Sequence, residues 1–144
     1  MKEAGKIQHS FFEETILTKC GYRRNEVVNG AAFGVDVSVV DLQNNMAMAL
    51  TSDPLSLVPS LGLKESAWLS VHLMANDMAT TGFAPMYAQF VLNLPDYLSE
   101  EDFKTYWNHI HTFCNETGIA ITGGHTGFIP NQNSTIAGGG TFVT

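Results

Sequence analysis

The chain has 144 residues, of which 44% are hydrophobic and only 15% are charged, and its formal net charge is −7. This length fits one ordinary domain, and the acidic balance without a basic stripe argues against nucleic acid as a partner. No apolar run is long enough to cross a bilayer and no signal-peptide core opens the chain, so we expect a cytoplasmic protein that binds no membrane. So few charges also predict that a partner subunit, a second domain or a large ligand covers much of the surface.

The first half of the chain predicts a helix, a β-hairpin and a second helix. Residues 7–19 carry an apolar stripe at helical spacing. Residues 35–40 alternate and are β-branched, which predicts a strand, and a second strand is predicted over residues 46–52. The polar tripeptide Gln-Asn-Asn between them predicts a tight turn. Residues 65–82 predict a helix closed by a glycine.

The second half predicts three strands and one helix. A strand over residues 86–94 ends at a proline, and residues 99–118 form an amphipathic pattern that begins with a serine cap. A short buried strand is predicted over 119–124, and a last strand with a glycine-rich bulge over 134–144. The order α-β-β-α-β-α-β-β predicts an α+β fold with one mixed sheet and helices on one face. We expect another chain to cover the other face.

Three aspartates, Asp36, Asp53 and Asp77, each stand alone in a long uncharged stretch. A carboxylate in apolar surroundings is costly unless it is paired, hydrogen-bonded or bound to a cation. Taken singly, each also fits a structural role: on the solvent face of an edge strand, in a turn before Pro54, or on the exposed side of a helix. Taken together, they predict a divalent metal site, and hard oxygen ligands suit Mg²⁺.

The stretch GIAITGGHTG predicts a buried strand that runs into a glycine turn. Gly123 and Gly124 permit close approach of the backbone to a ligand, and amide groups in such a turn cradle anions. No Gly-Lys-Ser/Thr follows, which excludes a Walker A loop, and an ordinary tight turn is equally compatible. His125 fits a ligand, a general base or a hydrogen-bonded turn residue.

Five segments together resemble the PurM-like superfamily, which includes aminoimidazole ribonucleotide (AIR) synthetase, thiamine-monophosphate kinase and the hydrogenase-maturation protein HypE. They are GKI at 5–7, FGVDVSVV at 33–40, TSDPLSLVP at 51–59, NDMATTGFAP at 76–85 and GGHTG at 123–127. The AIR synthase-related or HypE-like branch is the most similar. The resemblance implies that residues 1–144 are an N-terminal domain without its C-terminal domain. It also implies a homodimer in which two such sheets close into a barrel.

The resemblance further implies ATP-dependent chemistry, in which the terminal phosphate activates an amide oxygen or passes to a small-molecule or protein acceptor. Asp36, Asp53 and Asp77 would hold Mg²⁺ on the nucleotide phosphates, and Asn76 would support Asp77. Lys6 would lie near the phosphates, although a solvated lysine fits its residue type equally well. A metal-binding or catalytic turn would contain Gly123, Gly124, His125 and Thr126.

Two departures from the family pattern bear on these roles. Several relatives carry Asp or Glu at the position of His125, and many carry paired acids where this chain has Val35-Asp36. Three functions therefore stay open: an ATP- and Mg²⁺-dependent ligase or kinase-like enzyme, a dimerisation or nucleotide-sensing module without turnover, and a transition-metal protein. The third would rest on His125 with Asp77, and the absence of a second histidine at ligand spacing disfavours it.

Overall fold

The computed structural model describes residues 5–132 and 137–144. Three α-helices and six strands make up this part of the chain, with a short 3₁₀ helix at Leu17–Lys19. The helices are α1 (His9–Thr15), α2 (Leu63–Ala79) and α3 (Glu100–Glu116). The strands are β1 (Val27–Asn29), β2 (Val37–Gln43), β3 (Met46–Ser56), β4 (Tyr87–Pro95), β5 (Ala120–Ile129) and β6 (Ala137–Val143).

The strands form one mixed sheet in the order β1-β2-β3-β6-β4-β5. All neighbours pair antiparallel except β4 and β5, which pair in parallel with α3 as their crossover. The predicted mixed sheet is thus confirmed. The short edge strand β1 was not predicted, because three residues at Val27–Asn29 carry too little alternation to distinguish a strand from a loop.

Helices α2 and α3 pack against each other and cover one face of the sheet. Alternate residues of β4 point into this layer, where Ala88, Phe90, Leu92 and Leu94 are buried. The core between helices and sheet also contains Val71, Met74, Met78, Tyr106, Ile110 and Phe142. The opposite surface of the sheet is called the outer face here. Two β4 residues that point to it, Tyr87 and Val91, are 47% and 41% exposed.

Local signals at chain reversals and helix ends are confirmed. The β2–β3 turn uses positive φ at Gln43, Asn44 and Asn45, of 66°, 53° and 61°, a region that asparagine tolerates well. At the start of α3, the Ser99 hydroxyl accepts a hydrogen bond from the Asp102 amide at 3.0 Å, as the serine cap predicts.

The glycine-rich bulge predicted in the last strand is wrong. Strand β6 pairs without a register shift to β3 on one side and to β4 on the other. The glycines serve close packing instead, since a Cβ on Gly140 would overlap the side chain of Met74 on α2. The start of the predicted strand, residues 134–136, lies outside the described residues.

Within the described ranges, no helix combines the length and apolar character that a membrane span requires.

Candidate active site

The three solitary aspartates come from three different segments of the chain. Asp53 lies on β3 between the buried residues Thr51 and Leu55, and therefore faces the helix layer. Asp77 lies in the last turn of α2, which packs on β3. Asp36 is exposed and directly precedes β2, whose first residue pairs with Thr51. The β2–β3 ladder and α2 thus bring together residues separated by tens of positions in sequence.

Their carboxylates act on one another electrostatically. Burial is the largest cause that raises the pKa of Asp77, to about 6 from an ordinary 3.8. A side-chain hydrogen bond and the negative charge of Asp53 raise this pKa too, and the charge of Asp36 adds to it. The Thr51 hydroxyl, 3.5 Å from Oδ2 of Asp77, lowers it. This accumulation of negative charge is the environment that a cation stabilises.

The side chains are not arranged as a closed metal cage. Among the described residues, no group of three or more His, Cys, Asp or Glu side chains converges closely enough to hold a metal ion alone. A cation at these aspartates would therefore need further oxygen ligands. This requirement fits Mg²⁺, which usually keeps several water ligands and is also coordinated by substrate phosphates.

Asp36 lines three clefts: one of about 1060 Å³ that is also lined by Ser52 and Thr141, and two further clefts, a smaller and a larger one. The smaller, of about 330 Å³, is also lined by Lys6, Phe12 and Phe33. The larger, of about 860 Å³, runs along the ends of β2 and β3 and past Thr80, Thr81 and Phe83, which follow Asp77. Among the described residues, Asp36 is the only charged one in the lining of the larger cleft, and Phe83 there is 68% exposed. Asn76, next to Asp77, is exposed.

The predicted glycine turn is wrong: Gly123, Gly124, His125 and Thr126 all lie within β5. Parallel pairing with β4 continues through them as far as Ile129, after one irregularity between Ala88 and Gln89. A Cβ on Gly124, where φ is +142°, would overlap the carbonyl oxygen of Phe90, so this glycine is needed for strand pairing. The strand is also largely exposed rather than buried.

His125 is separated from the aspartates. It pairs with Val91, which points to the outer face, whereas Asp53 faces the helices. Gly124 shares a row across the sheet with Asp53, but β6 and β4 lie between them, so their backbones are roughly 14 Å apart. The structure therefore does not bring the glycine–histidine segment into the aspartate cluster.

The family model described as AIR synthase related protein, N-terminal domain, matches residues 34–143. The chain belongs to this family. Asp36, Asp53, Asp77 and His125 lie inside the matched region, whereas Lys6 lies outside it. No match was found among curated proteins.

Solved structures share the fold of this AIR synthase related domain at low identity. AaThiL complexed with AMPPCP and TMP has a TM-score of 0.66 at 19% identity, over 79% of this chain and 37% of that one. Thiamine monophosphate kinase from Aquifex aeolicus has 0.65 at 18%, over 78% and 37%. The hydrogenase maturation protein HypE in complex with ATP has 0.62 at 18%, over 97% and 40%. The chain spans well under half of each of these proteins.

Two features of the AIR synthase related domain were not predicted from the sequence. Thr51 contacts the segments of both Asp36 and Asp77, and the only available signal was that it lies two residues before Asp53 and so shares its strand face. The cleft beside Phe83 carries no sequence signal, because its lining comes from five separate segments.

Proposed function

We propose that this chain is the ATP-binding N-terminal domain of an enzyme that transfers the terminal phosphoryl group of ATP or uses it to activate an amide. The observation that carries the proposal is that β3, the end of α2 and the segment before β2 bring Asp53, Asp77 and Asp36 close enough to act on one another. Family membership supports it. The fold also occurs in AaThiL complexed with AMPPCP and TMP and in HypE complexed with ATP.

In this proposal the aspartates hold Mg²⁺ on the nucleotide phosphates. The donor set fits, because carboxylate oxygens are hard ligands, and because burial first, and then the neighbouring Asp53 and Asp36, raise the pKa of Asp77. The bound cation would neutralise charge on the phosphoryl group in transfer. The protein's own contribution is to place Asp53 on β3 and Asp77 at the end of α2, with Asp36 in the segment directly before β2, so that the three carboxylates are near one another before the charge develops.

In this proposal, the rest of the nucleotide lies in the clefts beside Asp36. Lys6 lines the same small cleft as Asp36 and would contact a phosphate. The larger cleft has an otherwise uncharged lining and suits an uncharged part of the ligand. Asn76 is exposed beside Asp77 and would meet the ligand from the helix end. His125 has no part in this site.

We also propose that the outer face pairs with the same face of a second copy. Its exposed residues include Tyr87 and Val91, and the segment before β1 leaves a cleft of about 1060 Å³ above it instead of packing on it. Uncovered apolar residues on a sheet face favour an interface. Sedimentation of Val91→Glu should give a monomer, whereas Leu73→Glu, exposed on α2, should sediment as the wild-type dimer. A monomeric wild type would contradict the proposal.

Calorimetric titration with AMPPCP, with and without Mg²⁺, tests the nucleotide site. We expect Mg²⁺-dependent binding that Asp53→Asn weakens by about tenfold or more, since a charged ligand group contributes more than a neutral hydrogen bond. Asp96→Asn is the matched control, because Asp96 is an exposed aspartate in the turn after β4. Equal binding by wild type and Asp53→Asn would reject the site. No binding by the wild type would favour a dimerisation module without nucleotide.

A further inference from the structure

Thr51 is a polar residue buried among the three aspartates. It is 2% exposed on the helix-facing side of β3. Its hydroxyl donates a hydrogen bond to the backbone oxygen of Asp36 at 2.9 Å and lies 3.5 Å from Oδ2 of Asp77. Asp53 is two residues farther along the same strand and on the same face. One hydroxyl therefore contacts two of the segments that carry the aspartates and shares a rigid strand with the third.

The bond to Asp36 restrains a segment that has few other restraints. Asp36 is exposed, and the residue two before it, Gly34, has φ of +76°, a conformation open to glycine. The neighbouring carbonyl, of Val37, accepts a hydrogen bond from the Asn29 side chain at 2.8 Å. Loss of the Thr51 hydroxyl would leave the Asp36 carbonyl without this side-chain donor, and the Asp36 carboxylate would sample more positions.

We propose that Thr51 is a positioning residue that sets the spacing between Asp36 and Asp77 for the cation and nucleotide phosphates. This inference rests on the proposed function, because it assigns Thr51 a role in the same site. The methyl group of Thr51 fills core space, while the hydroxyl performs the positioning. These two contributions are separable by substitution.

The test measures Mg²⁺-dependent AMPPCP affinity by calorimetry for Thr51→Val and Thr51→Ser. Valine keeps the shape and removes the hydroxyl, so we expect affinity in Mg²⁺ to fall by about five- to tenfold, the equivalent of one hydrogen bond to a site group. Serine keeps the hydroxyl and should bind within about twofold of wild type. Ser52→Ala is the matched control, since the adjacent hydroxyl points to the outer face and bonds Thr141 at 2.9 Å.

Circular dichroism and thermal unfolding accompany each titration, so that the folded fraction is known. If Thr51→Val does not fold, Thr51→Ala replaces it, and the comparison of alanine with serine again isolates the hydroxyl. Valine binding equal to wild type, or serine binding as weakly as valine, would overturn the role of the hydroxyl while the nucleotide site stands. Failure of the wild type to bind, or binding unchanged by Asp53→Asn, would instead reject the proposed function and this inference with it.

Discussion

The sequence singled out both the aspartate cluster and the glycine–histidine segment of β5. In the structure the aspartates lie close together, whereas the residues of the segment are spread along one strand. The aspartates are far apart in sequence and meet at the contact of β2, β3 and α2. The segment from Gly123 to Thr126 is contiguous, and as part of one extended strand it directs successive side chains to opposite faces. Contiguity in sequence is thus a poor guide to convergence in a strand.

The two regions also differ in what surrounds them. Asp77 is half-buried beside two other carboxylates, and its pKa is raised as a result. His125 is exposed and projects from the sheet beside Val91. The fold thus brings the isolated aspartates into electrostatic contact with one another, whereas it does not bring the glycine–histidine segment to them. Substitutions in the two regions test this contrast, and the largest effect is expected in β5.

Gly124→Ala should be the most damaging single change in β5. Its Cβ would overlap the Phe90 carbonyl, and its φ of +142° is unfavourable for any other residue. We expect the free energy of unfolding to fall by about 3 kcal/mol, as for other strained, overlapping substitutions. Chemical denaturation of Gly124→Ala and Gly123→Ala measures this, because nothing lies within 4 Å of a Cβ on Gly123. Equal losses in the two variants would contradict the structural explanation.

Much of the fold could be predicted from the sequence. The two long helices and the β2–β3 hairpin follow from periodicity, a polar turn and the Ser99 cap, which are local signals. The extent of β5 could not be predicted, because the parallel partner β4 supplies the hydrogen bonds that keep a glycine-rich segment extended. The packing role of Gly140 could not be predicted either, since it depends on contact with Met74 of α2 and not on neighbours in sequence.

The candidate site was predictable only in part. Isolation in uncharged sequence was sufficient to single out Asp36, Asp53 and Asp77, because a lone charge in apolar surroundings demands compensation. This argument does not hold for Asp36, which is exposed in the structure. The same reasoning could not find Thr51, since a hydroxyl in a strand has no distinctive pattern. The sequence also could not predict which face of the sheet His125 occupies, because the face of each β5 residue depends on the register with β4.

Replacement of Asp77 by asparagine should remove a carboxylate that burial and, to a smaller extent, the neighbouring Asp53 and Asp36 disfavour in its charged form. Because the folded pKa of about 6 exceeds the ordinary 3.8, the folded state binds this proton more tightly, and stability falls as pH rises from about 4 to 6. Without divalent cations, Asp77→Asn should therefore be more stable than wild type by about 1 kcal/mol at pH 7.5, after allowance for solvent screening. Thermal unfolding across pH 4–8 measures this. A gain that persists unchanged at pH 4 would point to a different cause.

Phe83→Ala should distinguish the contribution of the cleft to ligand binding from the contribution of the aspartates. We expect AMPPCP affinity in Mg²⁺ to fall by about threefold to fivefold, since an exposed aromatic ring contributes modestly to binding. Affinity for inorganic tripolyphosphate, which has no uncharged part, should not change. Phe128→Ala, exposed on β5, is the control for loss of a surface phenylalanine. Equal weakening of both ligands by Phe83→Ala would mean that Phe83 supports the aspartates themselves.

The smallest effect is expected from His125→Asn, which tests whether β5 contributes to nucleotide binding. The exposed imidazole lies on the outer face and has no hydrogen bond or ion pair with other side chains of the described residues, so its removal should leave Mg²⁺-dependent AMPPCP affinity within about twofold of wild type. Stability should change by less than about 0.5 kcal/mol. Calorimetry and denaturation on the same sample measure both. A tenfold loss of affinity would show that β5 contributes to the site after all, and would require it to reach the nucleotide from the face opposite Asp53.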